Sequence, residues 1–271
     1  MTNDRINAFQ ELLSAQLIRD FPWREGATPW GVMVSEFMLQ QTQTARVVSY
    51  FERWIERWPT PESLEAASLE DALCEWSGLG YNRRCRYLCE CARILTHYHH
   101  GTVPDRPEHL ERLPGIGHYT AGAIAAFAYN YPALFIETNI RAALLYFFFP
   151  EQEAVPDSAL YPILEQAINR NDPRHWYWAL MDYGAALKKT VENPGRKSSH
   201  YSRQSPFAGS FRQIRGALIK SLVSYGPSTL SELSERTGIV ESSVYKALNV
   251  LQKEQFVAES GEQYSIQKKP E

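Results

Sequence analysis

The sequence predicts an all-α protein that ends in a small winged-helix-like domain. Apolar residues recur at three- and four-residue spacing through most of the chain before residue 205, which is the period of an amphipathic helix. A stretch rich in proline, glycine and serine begins at Asn193, and such a composition is typical of a loop or linker. Three helical segments and two strand-like segments follow it. We therefore predict a helical core over residues 1–205 and a winged-helix-like domain over residues 206–271.

The first core helices are predicted from apolar periodicity and from capping residues. The segments INAFQELLSAQLIRDF and RVVSYFERWIERW place apolar residues three and four positions apart, so each presents one face to a core. The segment TPESLEAASLEDALCEWSGLG predicts two short helices with Thr60 and Ser68 as N-caps and Pro61 just inside the first.

The later helices follow from the same patterns. NRRCRYLCECARILTHYH predicts a helix that ends near Gly101, because glycine commonly follows a helix C-terminus. A small-residue helix is predicted over Tyr119–Tyr129. The remaining core helices are predicted in NIRAALLYFFF, SALYPILEQAINR and PRHWYWALMDYGAALKK.

The C-terminal residues predict a winged helix-turn-helix. One helix is followed by a second in TLSELSERTG, a turn at Gly238 and a third helix in ESSVYKALNVLQKEQ. Two strand-like pieces, FVAES and QYSI, flank Gly261. This order is that of a winged helix, which serves either DNA binding or protein contacts.

Composition and charge describe a globular protein. The 271 residues are 44% hydrophobic and 22% charged, which contradicts wholesale disorder and allows more than one domain. The net charge of −3 hides any signal of nucleic-acid binding, so the distribution of basic residues matters more. A signal-peptide pattern is lacking at the N-terminus, and the apolar runs are short for a bilayer. We therefore expect a cytoplasmic monomer with no membrane partner.

The four cysteines are confined to one short region, at Cys74, Cys85, Cys89 and Cys91. Cys85 and Cys89 are four residues apart, so they share one side of a helix. A metal or redox site is one interpretation. The absence of a paired C-x-x-C spacing favours reduced thiols in a cytosolic helix instead.

The LPGIG segment predicts a tight turn that opens a helix. Gly115 and Gly117 lack a Cβ atom, which permits close approach of a partner. The N–H groups that begin the next helix form an anion site, and Pro114 and the small residues that follow suit a helix-hairpin-helix bound to a DNA phosphate. A turn without a ligand is the alternative. We predict that Leu113, Gly115, Gly117 and Thr120 contact DNA.

Two glutamates are candidates for acid–base chemistry. Glu36 lies between Val34 and Met38 in an apolar helix, and Glu137 follows the apolar run ALFI. Burial would raise the pKa of such a carboxyl toward the range of a general acid. Two buried acids would suit cleavage of a glycosidic bond, with one acid protonating the leaving group and the other stabilising the sugar cation. An exposed Glu36 is the alternative.

A basic stretch follows the helical core. Between Lys188 and Lys220 there are eight lysines and arginines and one acid, Glu192. This composition suits either a solvated loop or a patch along a phosphate backbone. We predict that Arg196, Lys197 and Arg203 contact DNA.

Three motifs together resemble the helix-hairpin-helix glycosylase superfamily, and within it the MutY-type adenine DNA glycosylases. They are FPWREGATPWGVMVSEFMLQQTQTARVVSYFERW, WSGLGYNRR and LPGIGHYTAGAIAAFAY, and the resemblance runs over roughly Pro22–Gly184. It implies a six-helix barrel module of about residues 28–134 and a second helical module from residues 1–27 and 135–205.

The resemblance also implies roles for individual residues. Glu36 matches the acid that protonates the departing purine, and Gln41, beside Gln40, matches a glutamine that wedges into the base stack. Tyr81 matches a tyrosine that intercalates beside the opposite base. Tyr119 lies where endonuclease III-type lyases have a nucleophilic lysine. A phenol forms no Schiff base, so the resemblance implies a monofunctional enzyme.

The chain departs from this family in three ways. Glu137, in ETN, stands where the family has a catalytic aspartate in DGN, although Asn139 matches the family asparagine. A longer side chain shifts the carboxylate, and misplacement by ~1 Å is costly in catalysis. The cysteines that hold an iron–sulfur cluster after ALMDYGA are absent, so we expect no cofactor. The Nudix-like domain that recognises 8-oxoguanine is also not recognisable.

These observations favour a base-excision repair glycosylase that acts on double-stranded DNA with a mismatched or damaged base. Adenine opposite 8-oxoguanine or guanine is the first choice of substrate. Excision of thymine or uracil from mispairs, an endonuclease III-like glycosylase/lyase, and a non-catalytic DNA-binding protein remain as alternatives. Flipping of a base costs a few kcal/mol, and this cost is smallest at a mispair.

Overall fold

The computed structural model describes residues 3–24, 26–201 and 209–268, which are mostly helical. The predicted all-α class and the winged-helix-like C-terminus are confirmed. Among the described residues, no helix is both long and apolar enough to cross a membrane. The helices are α1 (Asn3–Ser14), α2 (Pro29–Leu39), α3 (Thr44–Arg57), α4 (Pro61–Ala66), α5 (Leu69–Trp76), α6 (Arg83–His99), α7 (Pro107–Leu110), α8 (His118–Tyr129), α9 (Thr138–Phe148), α10 (Asp157–Ala167), α11 (Pro173–Thr190), a 3₁₀ helix (Pro194–Lys197), α12 (Phe211–Tyr225), α13 (Leu230–Thr237) and α14 (Glu241–Lys253); the strands are β1 (Ser228–Thr229), β2 (Val257–Ser260) and β3 (Gln263–Ile266).

Capping chemistry sets several of these boundaries. The Thr60 side chain accepts from the Ser63 N–H at the start of α4, and Ser68 accepts from Asp71 N–H at the start of α5. Both N-caps were predicted, and each satisfies a backbone donor that the first helical turn leaves unpaired. Gly101, at φ +73°, ends α6 as predicted.

The first helix is shorter than its apolar pattern predicts. It ends at Ser14 rather than near residue 21. The Arg19 N–H donates to the carboxylate of Asp182 at 2.8 Å, and the Arg19 carbonyl accepts from Arg24 at 2.8 Å. Because both main-chain groups of Arg19 are used in this way, the tertiary contact outweighs the local helical pattern. The short α7 and β1 were also not predicted.

The described chain divides into two compact units. Unit one consists of residues 1–36 and 103–203, and unit two consists of residues 37–102 and 204–271. The predicted domain boundaries stay a prediction.

Unit one is built around the segment that leads into α9. Phe135 is fully buried, and its ring stacks on that of Tyr177 with 4.1 Å between centroids. Gly122 of α8 permits this packing, since a Cβ there would lie 2.9 Å from the Phe135 ring. The Tyr177 hydroxyl donates to the Ala133 carbonyl at 2.8 Å. These contacts fix the position at which α9 begins, and therefore the position of Glu137.

Unit two contains α3–α6 and the C-terminal module, by which we mean residues 209–268. Trp54 and Trp76 are buried together, edge to face, with 5.4 Å between ring centroids. In the C-terminal module, α12–α14 accompany an antiparallel sheet of order β1-β3-β2. Gly261, at φ +61°, lies in the turn between β2 and β3. Helix α12 packs against α5, α13 and α14.

Candidate active site and DNA-contacting residues

Glu36 is a buried acid at the centre of the candidate active site. Its helix, α2, is apolar all round, and the residue is only 3% exposed. The Tyr119 hydroxyl donates to its carboxylate at 3.1 Å. Burial raises the pKa of Glu36 from 4.5 to about 7; donation by Tyr119 opposes this rise, the charge of Glu137 adds to it, and Arg24 opposes it. Glu36 is therefore partly protonated at neutral pH, as a general acid requires.

Tyr119 is positioned by the first turn of α8. Its ring meets Phe135 edge-on with 5.9 Å between centroids. Burial raises the pKa of Tyr119 well above its ordinary value, and the charges of Glu36 and Glu137 raise it further. The phenol therefore keeps its proton and serves as a donor to Glu36. It carries no amine for covalent attack on a sugar.

Glu137 differs from the prediction of two buried acids. It is half-buried, and it forms the N-cap of α9. Its Oε1 accepts from the backbone N–H groups of Asn139 at 2.6 Å and Ile140 at 2.9 Å. Its Oε2 accepts from the Thr138 hydroxyl at 2.9 Å and from Asn139 Nδ2 at 3.3 Å. The prediction of burial was wrong because an apolar run before a helix start does not reveal that the backbone donors and the helix dipole face the carboxylate.

Asn139 links Glu137 to a lysine that sequence reasoning missed. Lys188 Nζ donates to Asn139 Oδ1 at 2.9 Å. Burial lowers the pKa of Lys188, although the charge of Glu137 opposes this change. In the sequence, Lys188 was recognised only as the first residue of a basic stretch. A usable signal was its position one turn after Gly184 on α11, because residues four apart share a helix face.

Gly184 allows α11 to approach this site closely. A Cβ at this position would lie 2.0 Å from the Asn139 carbonyl oxygen. The glycine is therefore required by packing between α9 and α11 rather than by a turn. This close approach brings Lys188 within reach of Asn139.

The predicted hairpin residues divide into buried and exposed positions. Leu113 and Thr120 are each 4% exposed, so their side chains lie in the core of unit one. Gly115 is exposed at φ +76°, and exposed Gly117 is the N-cap of α8 with no side chain to satisfy its donors. The backbone at Gly117 is thus arranged as a helix N-terminus that suits an anion. DNA contact by these four residues stays a prediction.

In unit two, the predicted wedge residues Gln41 and Tyr81 share an uncommon backbone conformation. Their φ angles are +55° and +51°, in the left-handed region that non-glycine residues rarely adopt and that often marks functional sites. Gln41 is exposed, whereas Gln40 and Tyr81 are half-buried. Their roles in DNA binding stay predictions.

Arg84, which sequence reasoning did not single out, contacts the backbone just before Gln41 and the ring of Tyr81. Its guanidinium donates to the carbonyls of Phe37 at 3.0 Å and Met38 at 2.8 Å, where α2 ends, and to that of Gln40. It also lies 5.5 Å from the centroid of the Tyr81 ring. Burial lowers the pKa of Arg84 to about 10, so it remains charged at neutral pH.

The structure describes the basic stretch after α11 as far as residue 201. Arg196 is exposed and forms a salt bridge with Glu192 at 2.6 Å. Lys197 donates to the carbonyl of Pro150, and the neighbouring Ser198 forms a parallel bridge with Val155. Arg203 lies outside the described residues. Phosphate contacts by all three predicted residues stay predictions.

The residues present do not fit an iron–sulfur cluster. The segment from Lys188 to Tyr201 contains no cysteine. Cys85 and Cys91 are buried in α6 of unit two, and burial raises the pKa of both thiols well above the ordinary value. Their positions in α6 are also far along the chain from the segment after α11, where the resemblance implies the cluster ligands. Over the described ranges, no three histidines, cysteines or acids group as metal ligands would.

Comparison with known protein families identifies two regions of the chain that match family models. The model of the HhH-GPD superfamily of base excision DNA repair proteins matches residues 34–169. The chain belongs to this superfamily. The predicted resemblance is therefore confirmed, and the match includes Glu36, Tyr81, Tyr119 and Glu137. A second family model, for the sugar-specific transcriptional regulator TrmB, matches residues 219–269 of the C-terminal region.

Similar proteins include several adenine DNA glycosylases. The one from Mycobacterium tuberculosis is 50% identical over 124 residues, which are 45% of this chain and 41% of that protein. The one from Mus musculus is 37% identical over 215 residues, which are 74% of this chain and 41% of that protein. The one from Homo sapiens is 35% identical over 181 residues, which are 62% of this chain and 33% of that protein. The chain thus matches less than half the length of these relatives.

Solved structures of two other superfamily members share the fold. A thermostable thymine-DNA glycosylase has a TM-score of 0.61 at 20% identity, over 71% of this chain and 91% of that chain. Endonuclease III in a non-covalent complex with DNA has a TM-score of 0.57 at 18% identity, over 78% of this chain and 92% of that chain. At this identity the likeness concerns the fold alone.

Proposed function

We propose that the protein is a monofunctional DNA glycosylase that removes adenine opposite 8-oxoguanine or guanine from double-stranded DNA. The observation that carries this proposal is the buried carboxyl of Glu36, with a pKa of about 7, under the hydroxyl of Tyr119 and close enough to Glu137 to be affected by its charge. Two acids in contrasting environments divide the roles of proton donor and charge stabiliser.

The chemistry follows from these environments. Protonated Glu36 donates its proton to the flipped purine, and the N-glycosidic bond breaks with its electron pair going to the base. The Glu137 carboxylate, held by four donors, stabilises the positive charge that develops on the sugar. Water adds to the sugar and gives up a proton, which leaves an abasic site. The strand itself remains intact.

The absence of an amine at residue 119 supports a hydrolytic rather than a lyase mechanism. A lyase needs a primary amine that attacks the sugar. Tyr119 provides none, and the nearby Lys188 donates to Asn139 at 2.9 Å. A glycosylase/lyase that uses Lys188 is the second candidate function, because burial lowers the pKa of this amine toward the range in which it is nucleophilic.

The choice of adenine is supported by the similarity to adenine DNA glycosylases of bacteria and mammals. The likeness to a thymine-DNA glycosylase keeps thymine and uracil in the substrate panel. We further propose that the enzyme acts as a monomer without an iron–sulfur cluster. In this proposal the segment 191–201, held by the bridge between Val155 and Ser198, takes the place of the cluster region.

The test is excision from labelled duplexes that contain A:8-oxoG, A:G, T:G or U:G, each read with and without hot alkali. We expect strand breaks at A:8-oxoG and A:G that require alkali. Glu137→Gln should lower the single-turnover rate by at least about a hundredfold and retain DNA binding. Glu165→Gln is the matched control, because Glu165 is exposed and paired with Arg170.

Each other outcome contradicts a stated part of the proposal. Cleavage without alkali that is abolished by Lys188→Met would establish the lyase. Excision of thymine or uracil alone would replace the substrate. DNA binding without any excision, unaffected by Glu137→Gln, would identify a non-catalytic binding protein.

A further inference from the structure

Tyr81 is held by a residue of the C-terminal module. Arg212, in the first turn of α12, donates from its guanidinium to the Tyr81 hydroxyl. The guanidinium carbon of Arg212 also lies 5.4 Å from the centroid of the Tyr81 ring, and that of Arg84 lies at 5.5 Å. A guanidinium at this distance from an aromatic ring is attracted to its face. Two arginines therefore restrict the orientation of one half-buried phenol.

The position of Arg212 is set by docking within unit two. Helix α12 packs against α5. Glu254 of the C-terminal module pairs with Arg83 of α6 and with Arg215 of α12. Arg86 of α6 donates to Gln255 at 3.3 Å. These contacts join the module to the helices on either side of Tyr81, so the Arg212–Tyr81 contact is part of a packed interface.

The charge of the module argues against a separate DNA-binding role. Residues 209–268 contain seven basic and six acidic residues, so the module has almost no net charge. An independent DNA-binding domain depends on excess positive charge against phosphates. Arg84 and Arg212 instead lie against the Tyr81 ring. Arg83 and Arg215 pair with Glu254 of the module, and Arg86 donates to Gln255.

We propose that Arg212 is a positioning residue for recognition of the base opposite the excised one, acting through Tyr81. This inference rests on the proposed function and on the role that the family resemblance implies for Tyr81, which is intercalation beside that base. Arg212 restrains the direction of the Tyr81 ring before DNA binds, through the hydroxyl and the face of the ring. The C-terminal module thereby becomes part of the substrate-recognition apparatus of the full chain.

The test is a double-mutant cycle of Tyr81→Phe and Arg212→Met in the full chain. The readout is equilibrium binding to duplexes that carry a tetrahydrofuran abasic analogue opposite 8-oxoguanine, guanine or thymine. We expect the wild type to prefer 8-oxoguanine or guanine over thymine. Each single change should lower this preference by about tenfold, and the double variant should lose no more than either single variant. Arg212→Lys, which keeps a charged donor, should recover part of it.

Arg93→Met is the matched control, since it removes an exposed arginine of α6 that is not among the residues described at the docking of the module. It should keep the wild-type preference. An unchanged preference in Arg212→Met, or independent losses that multiply in the double variant, would overturn the inference. If Arg212→Met does not fold, the opposite-base preferences of Tyr81→Phe and Arg212→Lys still test the inference.

Excision measured on the same proteins separates this inference from the proposed function. One outcome is an opposite-base preference in binding that depends on Arg212, with no excision of any base. It would overturn the proposed chemistry and retain the inference. Excision of adenine, together with an opposite-base preference in binding that does not depend on Arg212, would retain the proposed chemistry and overturn the inference.

Discussion

The Tyr119 hydroxyl donates to the Glu36 carboxylate at 3.1 Å, and this contact limits how far burial raises the pKa of the candidate general acid. Burial raises the pKa of Glu36 to about 7, while the hydrogen bond from Tyr119 opposes the rise. The bond opposes it because an acidic donor stabilises the ionised carboxylate more than the neutral acid. Tyr119 therefore tunes the acid in addition to filling the site.

Tyr119→Phe should shift the alkaline limb of the pH–rate profile for excision to higher pH. Loss of the donor destabilises ionised Glu36, so its pKa rises and the protonated acid persists to higher pH. A charge-assisted hydrogen bond of about 1.5 kcal/mol corresponds to a shift of about one pH unit. The measurement is the single-turnover excision rate between pH 5 and pH 9, roughly two units either side of neutrality. Tyr146→Phe, at a residue 43% exposed, is the control; a limb that stays in place or moves downward would contradict the assignment.

Glu36→Gln should stabilise the fold at alkaline pH while abolishing excision. Below pH 4.5 the carboxyl is neutral in both folded and unfolded chains, and between pH 4.5 and about 7 only the unfolded chain releases the proton. The wild type therefore loses stability as pH rises through this window, by about 3 kcal/mol in total. The neutral amide avoids this loss.

Urea unfolding of the wild type and Glu36→Gln checks this expectation. The variant should be the more stable protein at pH 8, and this advantage should shrink as the pH falls toward 4.5. Glu165→Gln, at an exposed glutamate, should show no such pH-dependent difference. An advantage that grows toward acid pH would mean that burial does not raise the Glu36 pKa.

Lys188→Met should reduce excision more than Lys189→Met, although both remove one positive charge. Lys188 holds Asn139 and through it the Glu137 carboxylate, whereas Lys189 is exposed. We expect the rate at saturating DNA to fall by about tenfold for Lys188→Met, as for loss of one charge-assisted hydrogen bond. Both variants should weaken DNA binding similarly, and by an amount that depends on salt. Equal rates at saturating DNA in the two variants would remove Lys188 from the site.

Gly184→Ala should be strongly destabilising. Its Cβ would lie 2.0 Å from the Asn139 carbonyl oxygen, so α9 and α11 would have to separate. We expect a loss of about 3 kcal/mol or more in the free energy of unfolding. Gly216→Ala in α12 is the matched control, because no atom lies within 4 Å of its added Cβ; it should gain up to about 1 kcal/mol from helix propensity. Similar effects at the two glycines would contradict the close approach of α9 and α11.

The sequence alone predicted the elements whose causes are local. Thr60 and Ser68 cap their helices as predicted, since a cap bonds a backbone group only a few residues away. The apolar neighbours of Glu36 correctly predicted its burial. The motifs around Glu36, Tyr81 and Tyr119 were also sufficient to indicate the superfamily.

Tertiary structure alone decided how the candidate residues are held. Glu137 proved to be a half-buried helix cap, and Lys188 contacts Asn139 across 49 residues of sequence. Arg212 contacts Tyr81 across 131 residues. Periodicity and capping act within one or two helical turns, whereas these contacts depend on which helix faces pack together. The sequence pattern therefore determined which chemical groups are present, and the packing of the helices determined which groups meet.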